Sequence, residues 1–273
     1  MSRTHSTRVG SHEVIAITDG EHQFGAELFP GTDPERISEL LAQAGASTID
    51  TNFNAFVVKS PGRTMLVDAG PRDLMGPASG NLPAGLAEAG VAATDITHLL
   101  LTHLHPDHIA GAITNDGAAV FENAVALVNE KELEFWCRDE AFGDEHMDQW
   151  QQLAKVVASA YGDRVQTFAD NADLGHGLSA LALPGHTPGH SGFQLSDGDE
   201  SLLMICDIVH APALQLADPE IGIAFDIDAD TARATRKRVL EMAATDGLLL
   251  AGGHLTTPKL GRLERAGAGY RLV

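Results

Sequence analysis

The chain has 273 residues, 44% of them hydrophobic and 21% charged, an ordinary globular composition that excludes the disordered and fibrous classes. Lys and Arg total 18 against 38 Asp and Glu, and the formal net charge of −20 repels phosphate backbones, so no nucleic-acid partner is expected. No apolar run is long enough to span a bilayer, residues 1–12 lack the apolar stretch of a signal peptide, and Cys137 and Cys206 are too few for a disulfide framework; a cytoplasmic protein without a membrane partner is the expectation.

No repeat, low-complexity tract or Pro/Gly/Ser-rich linker divides the chain, so residues 1–273 are expected to form one domain. Weak alternation over residues 13–18 predicts an opening strand. Asp33 as N-cap and Pro34 at the first helical position predict a helix over 34–44. Apolar runs at 55–58 and 64–67, joined by Lys59-Ser60-Pro61-Gly62-Arg63, have the signature of a hairpin, which Asp68-Ala69-Gly70-Pro71 ends. Further strands are expected at 96–101, 124–128, 165–168, 179–183, 192–195, 202–205 and 248–250. Helices are expected at 130–136, 148–160 and 228–244, the last with an acidic start and basic residues further along. Strands in two groups, each followed by helices, suggest two sheets packed face to face with helices outside.

The 13 histidines carry the functional signal. His103-x-His105-x-Asp107-His108 places three imidazoles and a carboxylate within one short segment, the ligand types that zinc and similar divalent ions prefer. Pro106 keeps a helix from starting before it, so the segment is expected on a loop at a strand end, with Asp107 and His108 on the following turn. Three more candidates follow apolar strands: His186 in Pro184-Gly185-His186-Thr187-Pro188-Gly189-His190, Asp207, and His254 after Gly252 and Gly253. Separate strands delivering ligands to one sheet edge favour an open catalytic site over a structural clip, and seven ligands suit two ions sharing one bridging carboxylate.

Asp68, the 103–108 segment, His186, Asp207 and His254 together resemble the metallo-β-lactamase-fold hydrolases. The resemblance implies an α+β fold, an αββα sandwich of two mixed β-sheets flanked by helices, with two divalent metal ions at one edge. The expected metal is zinc, with manganese, iron, cobalt and nickel as further options. It implies that His103, His105 and His186 hold one ion, that Asp107, His108 and His254 hold the other, and that Asp207 bridges them. Two such ions hold hydroxide near neutral pH for attack on a carbonyl carbon or phosphorus, while Asp107 orients it or passes its proton to the leaving group. Asp68 resembles the family's aspartate that orients the ligands.

Within the family, Asp207 argues against the β-lactamases, the short tail after His254 against glyoxalase II, and the acidic balance against the tRNA-processing branch. His186 to Gly192, Asp207 to Ala211, Phe225-Asp226-x-Asp228 and Gly269-Tyr270-Arg271 are similar to the branch holding methyl parathion hydrolase and related lactonases or arylesterases. His210 stands where homoserine-lactone lactonases usually carry tyrosine, which turns the reading toward phosphotriesterase-like members and makes His210 a candidate substrate contact; a structural histidine is the alternative. Cys206, where glycine is common, is expected to point away from the metals as a small buried hydrophobe, and Asp228 to cap a helix. His190 is expected to be structural, while His5, His12, His22, His98, His146 and His176 are expected to be ordinary. Phe24, Phe29, Phe53, Phe135, Trp136, Phe142 and Trp150 are candidates for an apolar wall, with core packing favoured for Phe135; such a wall suits a small neutral ester, lactone or phosphotriester. The alternatives are a mononuclear-iron persulfide dioxygenase-like enzyme and a non-catalytic metal-binding protein. Homodimers are common among the similar proteins, so a second copy is a candidate partner.

Overall fold

The computed structural model describes residues 2–256 and 260–273. The first sheet runs in chain order through β1 (Thr4–Val9), β2 (His12–Phe24), β3 (Ile49–Ser60), β4 (Arg63–Val67), β5 (His98–Leu101), β6 (Val125–Asn129) and β7 (Val165–Phe168). Its pairing is antiparallel as far as β4 and parallel from there to β7. The second sheet contains β8 (Asp173–Gly175), β9 (Leu178–Ala182), β10 (Ser191–Asp197), β11 (Glu200–Met204), β12 (Leu249–Ala251) and β13 (Leu260–Gly261), in the order β13-β12-β11-β10-β9-β8. There β11 and β12 are parallel and the other pairs antiparallel. A separate ribbon pairs β14 (Leu263–Ala266) with β15 (Gly269–Leu272).

Strand alternation sorts the side chains into three apolar layers. Phe56, Val58, Met65, Val67 and Leu100 meet Leu178, Phe193, Leu195, Leu202 and Met204 between the sheets. Their neighbours Val57, Leu66, Leu99 and Leu101 face outward. That outer face packs under α2 (Leu82–Glu88) and α5 (Glu145–Tyr161), while Leu203 and Leu250 of the second sheet pack on Val239, Leu240 and Ala243 of α7 (Ala229–Asp246). Two mixed sheets with helices on both outer faces make the expected αββα sandwich. The remaining helices are α1 (Pro34–Gln43), α3 (Pro106–Ile109), α4 (Glu130–Cys137) and α6 (Pro212–Gln215). Asp33 and Asp228 cap α1 and α7 as expected, accepting from Glu35 N at 2.9 Å and Thr231 N at 3.1 Å.

The first sheet is larger than periodicity predicted. The opening strand is the middle of β2, which continues through Asp19-Gly20-Glu21-His22-Gln23 across a register shift between Thr18 and Gly20. Polar residues in that stretch conceal a strand of 13 residues whose partner β3 has 12. Position follows from direction. Strands β4 and β5 are parallel, β9 and β11 both run against β10, and β12 runs with β11. The chain therefore leaves each of these strands in the direction that leads to Asp68, His103, His186, Asp207 and His254.

Candidate metal centre

His103 follows β5 by two residues and is fully buried; His105 ends the connection as N-cap of α3. Pro106 occupies the first helical position, where its missing N–H costs nothing, so Asp107 and His108 lie on a helical turn. The structure gathers all seven predicted ligands. Asp207 is the focus: its Oδ2 lies 3.5 Å from His103 Nε2, 3.3 Å from His186 Nε2 and 3.1 Å from His254 Nε2, and its Oδ1 lies 3.2 Å from His108 Nε2. His105 Nδ1 stands 2.9 Å from His186 Nε2, and Asp107 Oδ2 stands 3.4 Å from His108 Nε2 and 3.6 Å from His254 Nε2. The donor atoms fall into two groups sharing Asp207, one with His103, His105 and His186, the other with Asp107, His108 and His254.

The donor set fits divalent cations. Ligand atoms about 2.0–2.1 Å from a tetrahedral ion stand about 3.3 Å apart, which matches the spacing observed. His103 Nε2, His108 Nε2 and Asp207 Oδ1, all facing the centre, are buried without a hydrogen-bond partner, an arrangement that is costly unless something else satisfies them. Burial holds His103 and His105 far below the ordinary histidine range, keeping both rings neutral with a lone pair to give. Burial alone would raise the Asp207 carboxyl, but His108 and then His254 hold it well below the usual range.

Four rings are fixed by their outer nitrogens. His103 Nδ1 pairs with Thr102 Oγ1 at 3.1 Å, His108 Nδ1 with Asp68 Oδ2 at 2.8 Å, His186 Nδ1 with Asp226 Oδ1 at 3.0 Å, and His254 Nδ1 with the Asn52 carbonyl at 2.8 Å. Asp68 also accepts from Thr102 N and Thr102 Oγ1, both at 2.9 Å. These bonds hold it at φ 59°, a left-handed conformation that costs a non-glycine residue on the order of 1–3 kcal/mol. Gly253 lets the backbone pass close to the centre: a Cβ there would stand 3.2 Å from both Asp207 Oδ1 and Cys206 Sγ.

Several expectations need correction. Alternation does not govern Cys206, because β11 ends at Met204 and Cys206 adopts φ 44°. Its Sγ contacts Asp68 Oδ2 at 3.0 Å and Thr102 Oγ1 at 3.1 Å, behind the rings, so it is a polar neighbour of the ligands as well as a buried hydrophobe. His190 Nδ1 bonds the Leu183 carbonyl at 3.0 Å, and its Nε2 accepts from Asp207 N at 3.3 Å. His210 adjoins the centre: its Nε2 is 3.1 Å from Asp207 Oδ2, its ring stacks on His254 at 4.9 Å, and burial brings it down to about 4, so it is neutral.

A cavity of about 140 Å³ opens over Asp107, His186, His210 and His254. Of the predicted wall residues, Phe24, Phe53 and Trp150 line it; Phe29, Phe135, Trp136 and Phe142 do not. Phe29 packs among Ile37, Leu40 and Ile223, and Trp136 is fully buried edge-on to His105. Leu28, Met75, Phe225 and His22 complete the wall, and among the described residues neither Lys nor Arg does. His22 carried no sequence signal because it lies in the concealed half of β2. Asp226 belongs to the Phe225-Asp226-x-Asp228 stretch singled out by resemblance, but its place behind His186, like that of Asn52 behind His254, carries no sequence signal, since a residue that orients a ligand from outside need not lie near it in sequence.

The comparisons agree with the fold. The family described as the Metallo-beta-lactamase superfamily matches residues 50–254. A hydroxyacylglutathione hydrolase from Cereibacter sphaeroides is 32% identical over 161 residues, 56% of this chain and 49% of that relative, so the chain spans about half its length. Among solved structures, hydrolase AbOPH of the beta lactamase superfamily superposes with a TM-score of 0.92 at 28% identity, covering 100% of this chain and 97% of that one. AidC, a dizinc quorum-quenching lactonase in complex with a product N-hexnoyl-L-homoserine, gives 0.93 at 25% identity, covering 100% and 98%. A probable metal-dependent hydrolase from Staphylococcus aureus shares the fold with a TM-score of 0.81 at 17% identity, covering 98% and 99%.

Proposed function

The chain belongs to the metallo-beta-lactamase superfamily, and from that premise we propose that residues 1–273 form a single-domain dinuclear metal-dependent hydrolase that opens a lactone or cleaves an ester, with phosphotriesters as a related substrate class. The observation that carries this reading is the Asp207 carboxylate with imidazole nitrogens 3.1–3.5 Å away on both sides, two of them, His103 Nε2 and His108 Nε2, buried without a partner. His103, His105 and His186 hold one ion, Asp107, His108 and His254 the other, and Asp207 both. When bound, two divalent ions, zinc before manganese, iron, cobalt or nickel, lower the pKa of the water they share and draw electron density from a carbonyl or phosphoryl oxygen.

The remaining roles fall to the chain's own groups. Asp107 is the most open of the ligands, its side chain 16% exposed toward the cavity, which suits it to carry a proton to the leaving group. Neutral His210 faces the same space and contacts substrate. A wall of Phe24, Leu28, Phe53, Met75, Trp150 and Phe225 without a cation favours a neutral substrate, since it offers no partner to an anionic group placed against it. The lactonase AidC and the hydroxyacylglutathione hydrolase lend weight to acyl substrates.

Elemental analysis of the purified protein, followed by a panel of lactones, aryl esters and phosphotriesters, tests this reading. About two divalent ions per chain are expected, with hydrolysis that disappears on chelation and returns with zinc. A single iron in fully loaded protein, or no turnover of any of the three classes, overturns it.

A further inference from the structure

Outside the ligand set, α4 brings a fully buried carboxylate, Glu132, against the centre. Among the described residues it has no cation partner, yet all its acceptor sites are used. Glu132 Oε1 accepts from Leu104 N at 3.0 Å and Trp136 Nε1 at 2.7 Å, and Oε2 accepts from Thr187 Oγ1 at 2.7 Å and Gly189 N at 3.0 Å. Leu104 lies between His103 and His105 on the connection leaving the first sheet. Thr187 and Gly189 follow His186 on the connection leaving the second. One carboxylate therefore ties together two segments that belong to different sheets and carry three histidines.

The approach is built to be close. A Cβ at Gly189 would stand 2.3 Å from Glu132 N and 2.6 Å from Glu132 Cβ, so only glycine lets this backbone reach the helix. Trp136, held by the same carboxylate, sets its ring edge-on to His105 at 5.4 Å. Nothing comparable reaches from Glu132 to Asp107, His108 or His254; Asp68 and Asn52 orient two of those instead.

We infer that Glu132 is a positioning residue for one half of the centre, fixing His103, His105 and His186 at the spacing a cation requires while leaving the Asp107, His108 and His254 half to other groups. The inference rests on the two-ion reading above. The reason for a carboxylate is satisfiability. Four donors converge, and an ionised carboxylate accepts all of them, whereas an amide of the same shape turns one oxygen into a donor facing two others.

Glu132→Gln is the direct test, with zinc as the probe. Zinc retained after dialysis against graded chelator should split into two phases, one as in the unsubstituted chain and one weakened about 10- to 100-fold. The cobalt-substituted protein should lose the absorption of one ion and keep that of the other. Thr187→Val removes a single donor at little cost in shape, and should weaken the same phase by a smaller factor even if Glu132→Gln folds poorly. His254→Ala identifies the half: alone it should leave about one firmly held zinc, and combined with Thr187→Val that remaining zinc should be the one weakened. If both ions weaken equally, if neither does, or if the combined variant holds its zinc as firmly as His254→Ala alone, Glu132 does not serve this half. An unsubstituted chain that binds only one ion would instead defeat the dinuclear reading itself.

Discussion

Asp226→Asn tests how far the site depends on groups that never touch substrate. Asp226 is buried, with Oδ1 3.0 Å from His186 Nδ1 and Oδ2 3.5 Å from Arg236 Nη2. The asparagine keeps an oxygen for the imidazole N–H and loses the charge; a hydrogen bond to a charged group contributes about 1.5–3 kcal/mol, and roughly half survives as a neutral one. Arg236 is 1% exposed and keeps the carbonyls of Ile208, Pro219 and Ile221 at 2.7, 3.4 and 3.0 Å. Stripping a buried pair of one partner costs about 3–5 kcal/mol, and those three carbonyls place this case at the low end. The sum is a destabilisation of about 4 kcal/mol, which for a chain of this length lowers the melting midpoint by roughly 7–8 °C. Calorimetry of the metal-free protein reads that shift, and chelator titration of the zinc-loaded protein should show about tenfold weaker retention of one ion. Arg236→Met should reproduce the stability loss with little change in zinc. An unchanged midpoint together with unchanged retention for Asp226→Asn would refute the argument.

Asp207→Ala should lose at least one ion and most turnover while its circular dichroism stays native, because the strands are built on apolar layers; full activity with both metals would show the bridge to be misassigned. His254→Ala should lose metal and depress every activity together. His210→Ala should keep its metal and change lactone and phosphotriester efficiencies unequally, and His210→Tyr should raise the lactone-to-phosphotriester ratio; a ratio that neither substitution moves makes His210 structural. Both tyrosines of the chain, Tyr161 and Tyr270, are pushed up to about 12, first by burial and for Tyr270 also by Glu241. Their neutral forms are favoured in the folded state, so this contribution to stability is present below about pH 10 and lost as the pH rises through 12. Phenolate absorbance should stay flat near pH 10 while the protein is folded, and a rise there would count against it.

Much of the site was legible because its ligands obey a local rule: each follows an apolar strand, and four lie within a single segment. The long β2–β3 pairing was not, since Asp19 to Gln23 interrupts the apolar pattern and the register shift breaks the alternation. Cys206 misled for a related reason. Strand logic was carried past the point where the strand stops, into a left-handed residue. The groups behind the ligands, Asp226, Asn52 and Glu132, come from distant elements, and no spacing in one chain announces which buried carboxylate will face which ring.

The wall of the cavity has a different origin from its floor. Phe24 and Phe53 stand on the paired strands β2 and β3, but Leu28 arrives on the excursion between them, Met75 on the connection after β4, Trp150 on α5, and Phe225 on the segment before α7, whereas the metal-binding histidines and aspartates follow the ends of central strands. Much of what the pocket admits is therefore written in stretches that can drift, lengthen or be exchanged between relatives, while the donor atoms are set by strand ends anchored in the sandwich. A lineage can change its diet through the first set without rebuilding the second. Small differences among those few aromatic and aliphatic side chains are where members sharing this floor would come to part ways.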